Sequence, residues 1–116
     1  MNYLLILNDP PYGTERSYNG LRVALALAKT RKHSLRVFLM ADAAFVGKRG
    51  QNVPKGFYNI GNMIRGVAKL GADVAACGSC MDARGLSDDE MEEGVRRGSM
   101  ELLAEWTDEA DKVIVF

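Results

Sequence analysis

Both cysteines of the 116-residue chain fall in one segment, Ala76-Cys77-Gly78-Ser79-Cys80-Met81-Asp82-Ala83-Arg84-Gly85, directly after the short apolar run Ala72 to Ala76. That run reads as a buried strand, so Cys77 stands where a strand ends and a helix begins. The first N–H groups of a helix lack backbone partners and carry partial positive charge. A thiol placed there is drawn toward its thiolate, the nucleophilic form. Cys80, three residues on, is either a resolving thiol able to close a disulfide with Cys77 or a residue packed in the first turn. For Cys77 the plainer reading is a small buried hydrophobe, a common fate of free cysteine.

Other chemistries find less support. Two cysteines do not make a disulfide scaffold, and a cytoplasmic location is the expectation for free thiols. A structural zinc site needs four nitrogen or sulfur ligands as a rule, and the chain offers one Cys-x-x-Cys and a lone His33 far away in sequence. No metal and no cofactor are therefore expected. Gly78-Ser79 lacks the proline typical of thioredoxin-like pairs. Lys48 and Arg49 beside Gly50 lack the further glycines and the immediate helix that a phosphate loop requires. Lysines and arginines number 15 and aspartates and glutamates 15, so net charge gives no reason to expect nucleic acid or an anionic membrane as partner. The apolar run Leu4 to Leu7 is too short for a signal peptide or a membrane span.

The elements that would hold the cysteine segment follow from patterning. A chain of this length fits one domain over residues 1–116 and buries roughly 65% of its unfolded surface. Leu4 to Leu7 reads as a strand covered on both faces and ends at Asn8-Asp9-Pro10-Pro11, which cannot continue a ladder. Thr14 is a plausible cap for a helix carrying Tyr18, Leu21, Leu25 and Ala28, in which Gly20 marks either a close-packing point or a weak turn. Leu35 to Met40 is a second strand, and Ala41 to Lys55 an irregular connection of a length usually tied to function or disorder. Ile60, Met63, Ile64, Val67 and Leu70 recur at helical spacing. Ser79 with Asp82, and Ser87 with Glu90, resemble capping boxes of two short helical turns. Ser99 opens a last helix with Leu103 and Trp106, and Val113 to Phe116 is a closing strand.

Strands alternating with helices predict an α/β fold: three α/β/α layers around a mainly parallel sheet of four to five strands. In such sheets ligands bind at the carboxyl ends of the strands. Three connections then share one edge: Asp9 to Gly13, Asp42 to Gln51, and Cys77 to Arg84. Asp9, Asp42, Gln51 and Arg84 become candidate substrate-binding residues beside the catalytic candidates Cys77 and Cys80. Turn hydrogen bonding is the plainer role for Asp9, Asp42 and Gln51, and a solvated surface charge for Arg84. Asp82 is better explained by capping. Ala43, Ala44, Phe45, Val46, Phe57 and Tyr58 exceed what a soluble loop needs, so they either fold back over the sheet edge or form a contact with another subunit.

With Phe38-Leu39-Met40-Ala41-Asp42-Ala43 and Gly50-Gln51 upstream and Ala110-Asp111-Lys112-Val113 downstream, the cysteine segment resembles the DsrE/DsrF-like family, including its YchN-like and TusD-related branches. The resemblance implies a small cytoplasmic domain, flavodoxin-like in appearance and commonly a homo-oligomer (trimer or hexamer), with relatives that pass sulfur as a cysteine persulfide between donor and acceptor proteins. The sulfur-accepting cysteine of those relatives precedes an Arg-Gly pair at the spacing at which Cys77 precedes Arg84-Gly85, which makes Cys77 the expected acceptor. The resemblance also adds weight to Asp42 and Gln51. Two other readings stand beside a sulfurtransferase-like carrier. One is an oligomeric small-ligand binding or assembly module with passive cysteines, and the other a thiol-disulfide redox protein using both.

Overall fold

The computed structural model describes residues 1–116. Its apolar runs become five strands: β1 (Asn2–Leu7), β2 (Ser34–Leu39), β3 (Asp73–Cys77), β4 (Val95–Gly98) and β5 (Lys112–Val115). Four helices alternate with them: α1 (Arg16–Lys29), α2 (Ile60–Lys69), α3 (Gly78–Ala83) and α4 (Met100–Glu109). The sheet order is β4-β3-β2-β1-β5, and every neighbouring pair is parallel. Stepping outward from β1 to β4 keeps the crossovers on one face, and the return to β5 places α4 on the other, as a constant crossover hand requires.

The two faces are unequal. Leu5, Leu7, Val37, Leu39, Val74 and Ala76 pack against Leu21 and Ala24 of α1 and against Ile60, Ile64 and Val67 of α2. The opposite face is smaller: Leu4, Phe38, Ala75 and Cys77 meet Trp106 of α4, with the Phe38 and Trp106 rings edge to face at 6.1 Å. Side chains alternate along a strand. Cys77 therefore shares the α4 face with Ala75.

Several elements depart from the sequence expectation. β4 was not expected, because Val-Arg-Arg-Gly offers no apolar run. It pairs with β3 through the backbone, with Val74 opposite Val95 and Cys77 opposite Gly98. The arginines of this edge strand then find partners on either side: Arg96 pairs with Asp73 at 3.1 Å and lies over the Trp106 ring. Ala41–Gly47 is a seven-residue 3-10 helix rather than irregular chain, and its own Ala43, Ala44 and Val46 are fully buried. The apolar residues of this connection thus fold back over the sheet edge, leaving Phe57 exposed and Tyr58 stacked on Tyr18 at 4.1 Å. Thr14 does not cap α1; its hydroxyl donates to Asp9, and the helix starts after Glu15 with no side-chain cap. Gly20 is a close-packing point, since a Cβ there would meet Leu7 Cδ2 at 2.5 Å.

Candidate thiol site

Cys77 ends β3 and is itself the N-cap of α3. Its Sγ accepts the Cys80 N–H at 3.3 Å and lies 3.3 Å from the Ser79 hydroxyl. The expected Ser79–Asp82 capping box therefore does not form. The thiol takes the capping role two residues earlier, Ser79 turns toward the sulfur, and Asp82 turns away to Arg97. The Ser87–Glu90 box does form, over the one-turn 3-10 helix Asp88–Glu90. Burial pushes the Cys77 thiol up, but the hydrogen bonds from Cys80 and Ser79 outweigh it and leave the pKa below that of an ordinary thiol.

Gly78 lets the turn approach β4. A Cβ at this position would meet Arg97 Nη1 at 2.7 Å and the Gly98 carbonyl oxygen at 3.0 Å. Arg97 in turn ties the turn down through all three nitrogens. It donates to the Gly78 carbonyl at 3.1 Å, to Asp82 at 2.9 Å and to Asp88 at 2.7 Å. The carboxylates of Asp82 and Asp88 hold its guanidinium firmly protonated. Sequence reasoning did not single out Arg97. Only the register that sets Cys77 opposite Gly98 brings it to the site, and an Arg-Arg pair in a polar stretch does not announce that pairing.

Cys80 is held beside Cys77 from the 3-10 helix after β2, through Ala41. Its Sγ accepts the Ala41 N–H at 3.2 Å, and Ala41 holds a left-handed backbone (φ 51°) that is rare for a residue with a Cβ. Burial, the Cys77 side chain and the Cys77 charge push the Cys80 thiol up, outweighing the Ala41 amide and Arg84. The two thiols are therefore separated in acidity, with Cys77 the more acidic of the pair.

Arg84 and Asp42 complete this flank. Arg84 donates Nη1–H to the Cys80 carbonyl at 3.1 Å and grips Asp42 through Nε at 3.0 Å and Nη2 at 2.9 Å. Arg84 is thus a paired strut rather than the solvated charge that its type suggested. Asp42, 42 residues away in sequence, is brought to the cysteine segment. Asp9 and Gln51 are not, because no hydrogen bond or ion pair links either to it. Asp9 accepts from Thr14 at 2.8 Å, and its carbonyl accepts from Ser17 at 2.7 Å. Gln51 binds the turn formed by its own loop: its amide donates to the carbonyls of Phe45, Val46 and Lys48, and its Oε1 accepts from the Tyr12 hydroxyl and the Gly61 N–H.

An open groove of about 380 Å³ lies over the thiol, lined by Cys77, Ser79, Arg97, Ser99 and Met100 among others. Cys77 is its floor and is only 2% exposed. Cys80 does not line it. The arrangement suits a small or terminal reacting atom that can reach a recessed sulfur.

The family model for the DsrE/DsrF-like family matches residues 1–116. Protein YchN of Escherichia coli is 40% identical over 114 residues, covering 97% of both chains. An uncharacterized protein of Methanopyrus kandleri is 40% identical over 112 residues, covering 97% of this chain and 91% of its own. The crystal structure of the Escherichia coli ychN protein superposes with a TM-score of 0.94 over 99% of this chain and 98% of that one. A protein of unknown function from Methanobacterium thermoautotrophicum shares the fold at 15% identity, with a TM-score of 0.75 and coverage of 99% and 98%.

Proposed function

We propose that this chain, which belongs to the DsrE/DsrF-like family, is a sulfur carrier that accepts sulfur as a persulfide on Cys77 and passes it to a partner thiol. The observation that carries the reading is the Cys77 sulfur itself, bonded by the Cys80 amide and the Ser79 hydroxyl at 3.3 Å each and more acidic than an ordinary thiol. The Cys77 thiolate attacks the outer sulfur of a donor persulfide, forming one S–S bond and expelling the donor thiolate. A partner thiolate then attacks that same outer sulfur, and Cys77 leaves as the thiolate. Exchange of this kind is fastest when the attacking thiol has a pKa near ambient pH. A lowered Cys77 moves in that direction.

The partly open α4 face supports self-association as part of the same reading. Val113 and Val115 pair with Leu4 and Ile6 in register and so lie on the α4 face, yet they are 42% and 62% exposed. At the other end of α4, Met100 is 47% exposed and lines the thiol groove. A second copy would cover these exposed apolar side chains.

The test is the mass of the protein after exposure to a persulfide donor, or to a cysteine desulfurase supplied with cysteine. The expected result is a gain of one sulfur atom, lost in Cys77→Ser and retained in Cys80→Ser. Absence of the adduct with every donor would leave a ligand-binding module with passive thiols.

A further inference from the structure

Resting on the carrier reading, we propose that Cys80 is an internal discharging thiol: when no partner takes the sulfur, it attacks Cys77 Sγ and releases the carried atom as hydrogen sulfide, leaving a Cys77–Cys80 disulfide. Direction is the first argument. Cys77 forms the groove floor, whereas Cys80 lies off the groove and receives the Ala41 N–H at 3.2 Å. A donor arriving through the groove therefore meets Cys77 alone. Once a second sulfur stands on Cys77, it points into the groove, and the protein-side approach to Cys77 Sγ belongs to Cys80. Displacement at sulfur attacks from the side opposite the leaving group. HS⁻ is then expelled into the groove, where solvent takes it away.

Reach is the second argument. The two residues occupy one turn, the Cys80 amide already contacts Cys77 Sγ at 3.3 Å, and each thiol perturbs the other's ionisation. Separation by three residues within a turn is compatible with the span of a disulfide. The Ala41 amide is the third. It is aimed at Cys80 Sγ from a left-handed backbone and offsets negative charge as that sulfur loses its proton.

The step balances without any further reagent. Cys80 gives up its proton and its sulfur forms a bond to Cys77 Sγ. The bond between Cys77 Sγ and the carried sulfur breaks, and that sulfur leaves with the electron pair and takes the proton. The sulfane atom gains two electrons and the two cysteines together lose two. An external thiol reductant then reopens the disulfide for another cycle. Because burial keeps Cys80 mostly protonated near neutral pH, discharge is slow, and a partner thiol of ordinary acidity competes well with it. Rising pH accelerates discharge.

The experiment loads the intact protein with inorganic polysulfide, removes excess reagent, and follows mass and free sulfide without added thiol. Expected is conversion of the one-sulfur adduct into a species lighter than the reduced protein by two hydrogens, with one sulfide released per disulfide. In Cys80→Ser and Cys80→Ala the adduct should persist about tenfold longer or more, because a tethered thiol acts at millimolar effective concentration. The wild-type disulfide can be read directly, so the result stands even if a variant folds poorly. A wild-type adduct as durable as that of the variants, or sulfide release with no disulfide, overturns the discharge while leaving Cys77 as carrier. Failure of the wild type to load at all sinks the carrier reading and this inference with it.

Discussion

At Cys77 the argument turns on how many donors face one sulfur. Ser79→Ala removes one of them, and a hydrogen bond worth about 1 kcal/mol lowers the thiolate population by about fivefold. Iodoacetamide labelling of Cys77 at neutral pH should slow by that factor, and its rate should rise with pH through a later midpoint than in the wild type. An unchanged profile would mean that Ser79 is a bystander. The sign follows from the charged form: a depressed thiol pKa keeps the reactive anion at lower pH, and each donor removed moves the profile upward. Cys77 was legible in the sequence because its type and its place after an apolar run suffice to mark it. The jobs of Ser79, Asp42 and Arg97 were not legible. Each depends on where a neighbouring segment passes, and the Arg84–Asp42 pair joins residues 42 positions apart.

At the scale of elements, the β3–α3 corner is built against β4, and Gly78 is where they touch. Gly78→Ala puts a methyl group 2.7 Å from Arg97 Nη1 and 3.0 Å from the Gly98 oxygen. The arginine can swing aside but the backbone cannot, so overpacking should cost about 1–3 kcal/mol. Chemical denaturation measures that loss. Cys77 labelling should slow together with it, because the corner that carries the Cys80 amide shifts. Full stability with undiminished labelling would show the corner to be slack. Continuous apolar strands and the periodic helices α1 and α2 could be read from residues alone. β4 could not, since an edge strand with two arginines gains its place from main-chain pairing and ion pairs, neither of which leaves a hydrophobic pattern. Gln51 shows the same limit within a loop. Its five hydrogen bonds fasten the chain around Phe45 to Lys48, a role that its residue type does not distinguish from ligand binding.

For the whole molecule, the parallel three-layer arrangement was the most legible feature, because alternation of buried strands with helices leaves few other topologies. The imbalance between the faces was not legible, since it depends on α4 being the one helix on its side. Replacing Val113 and Val115 together by lysine should leave the monomer fold intact, as both are well exposed, and should shift sedimentation toward a smaller species. A wild type that already sediments as a monomer defeats the self-association reading. The same lone helix also has a kinetic consequence. α4 links β4 at one margin of the sheet to β5 at the other, and no other segment bridges them. Strands β1 to β4 can assemble from successive neighbours, but β5 must wait for a single docking event that spans the sheet. Late closure of that strap, and its early release under stress, would then set when the Cys77 side chain, packed on the same face as Trp106, is first sheltered and when it is first laid open.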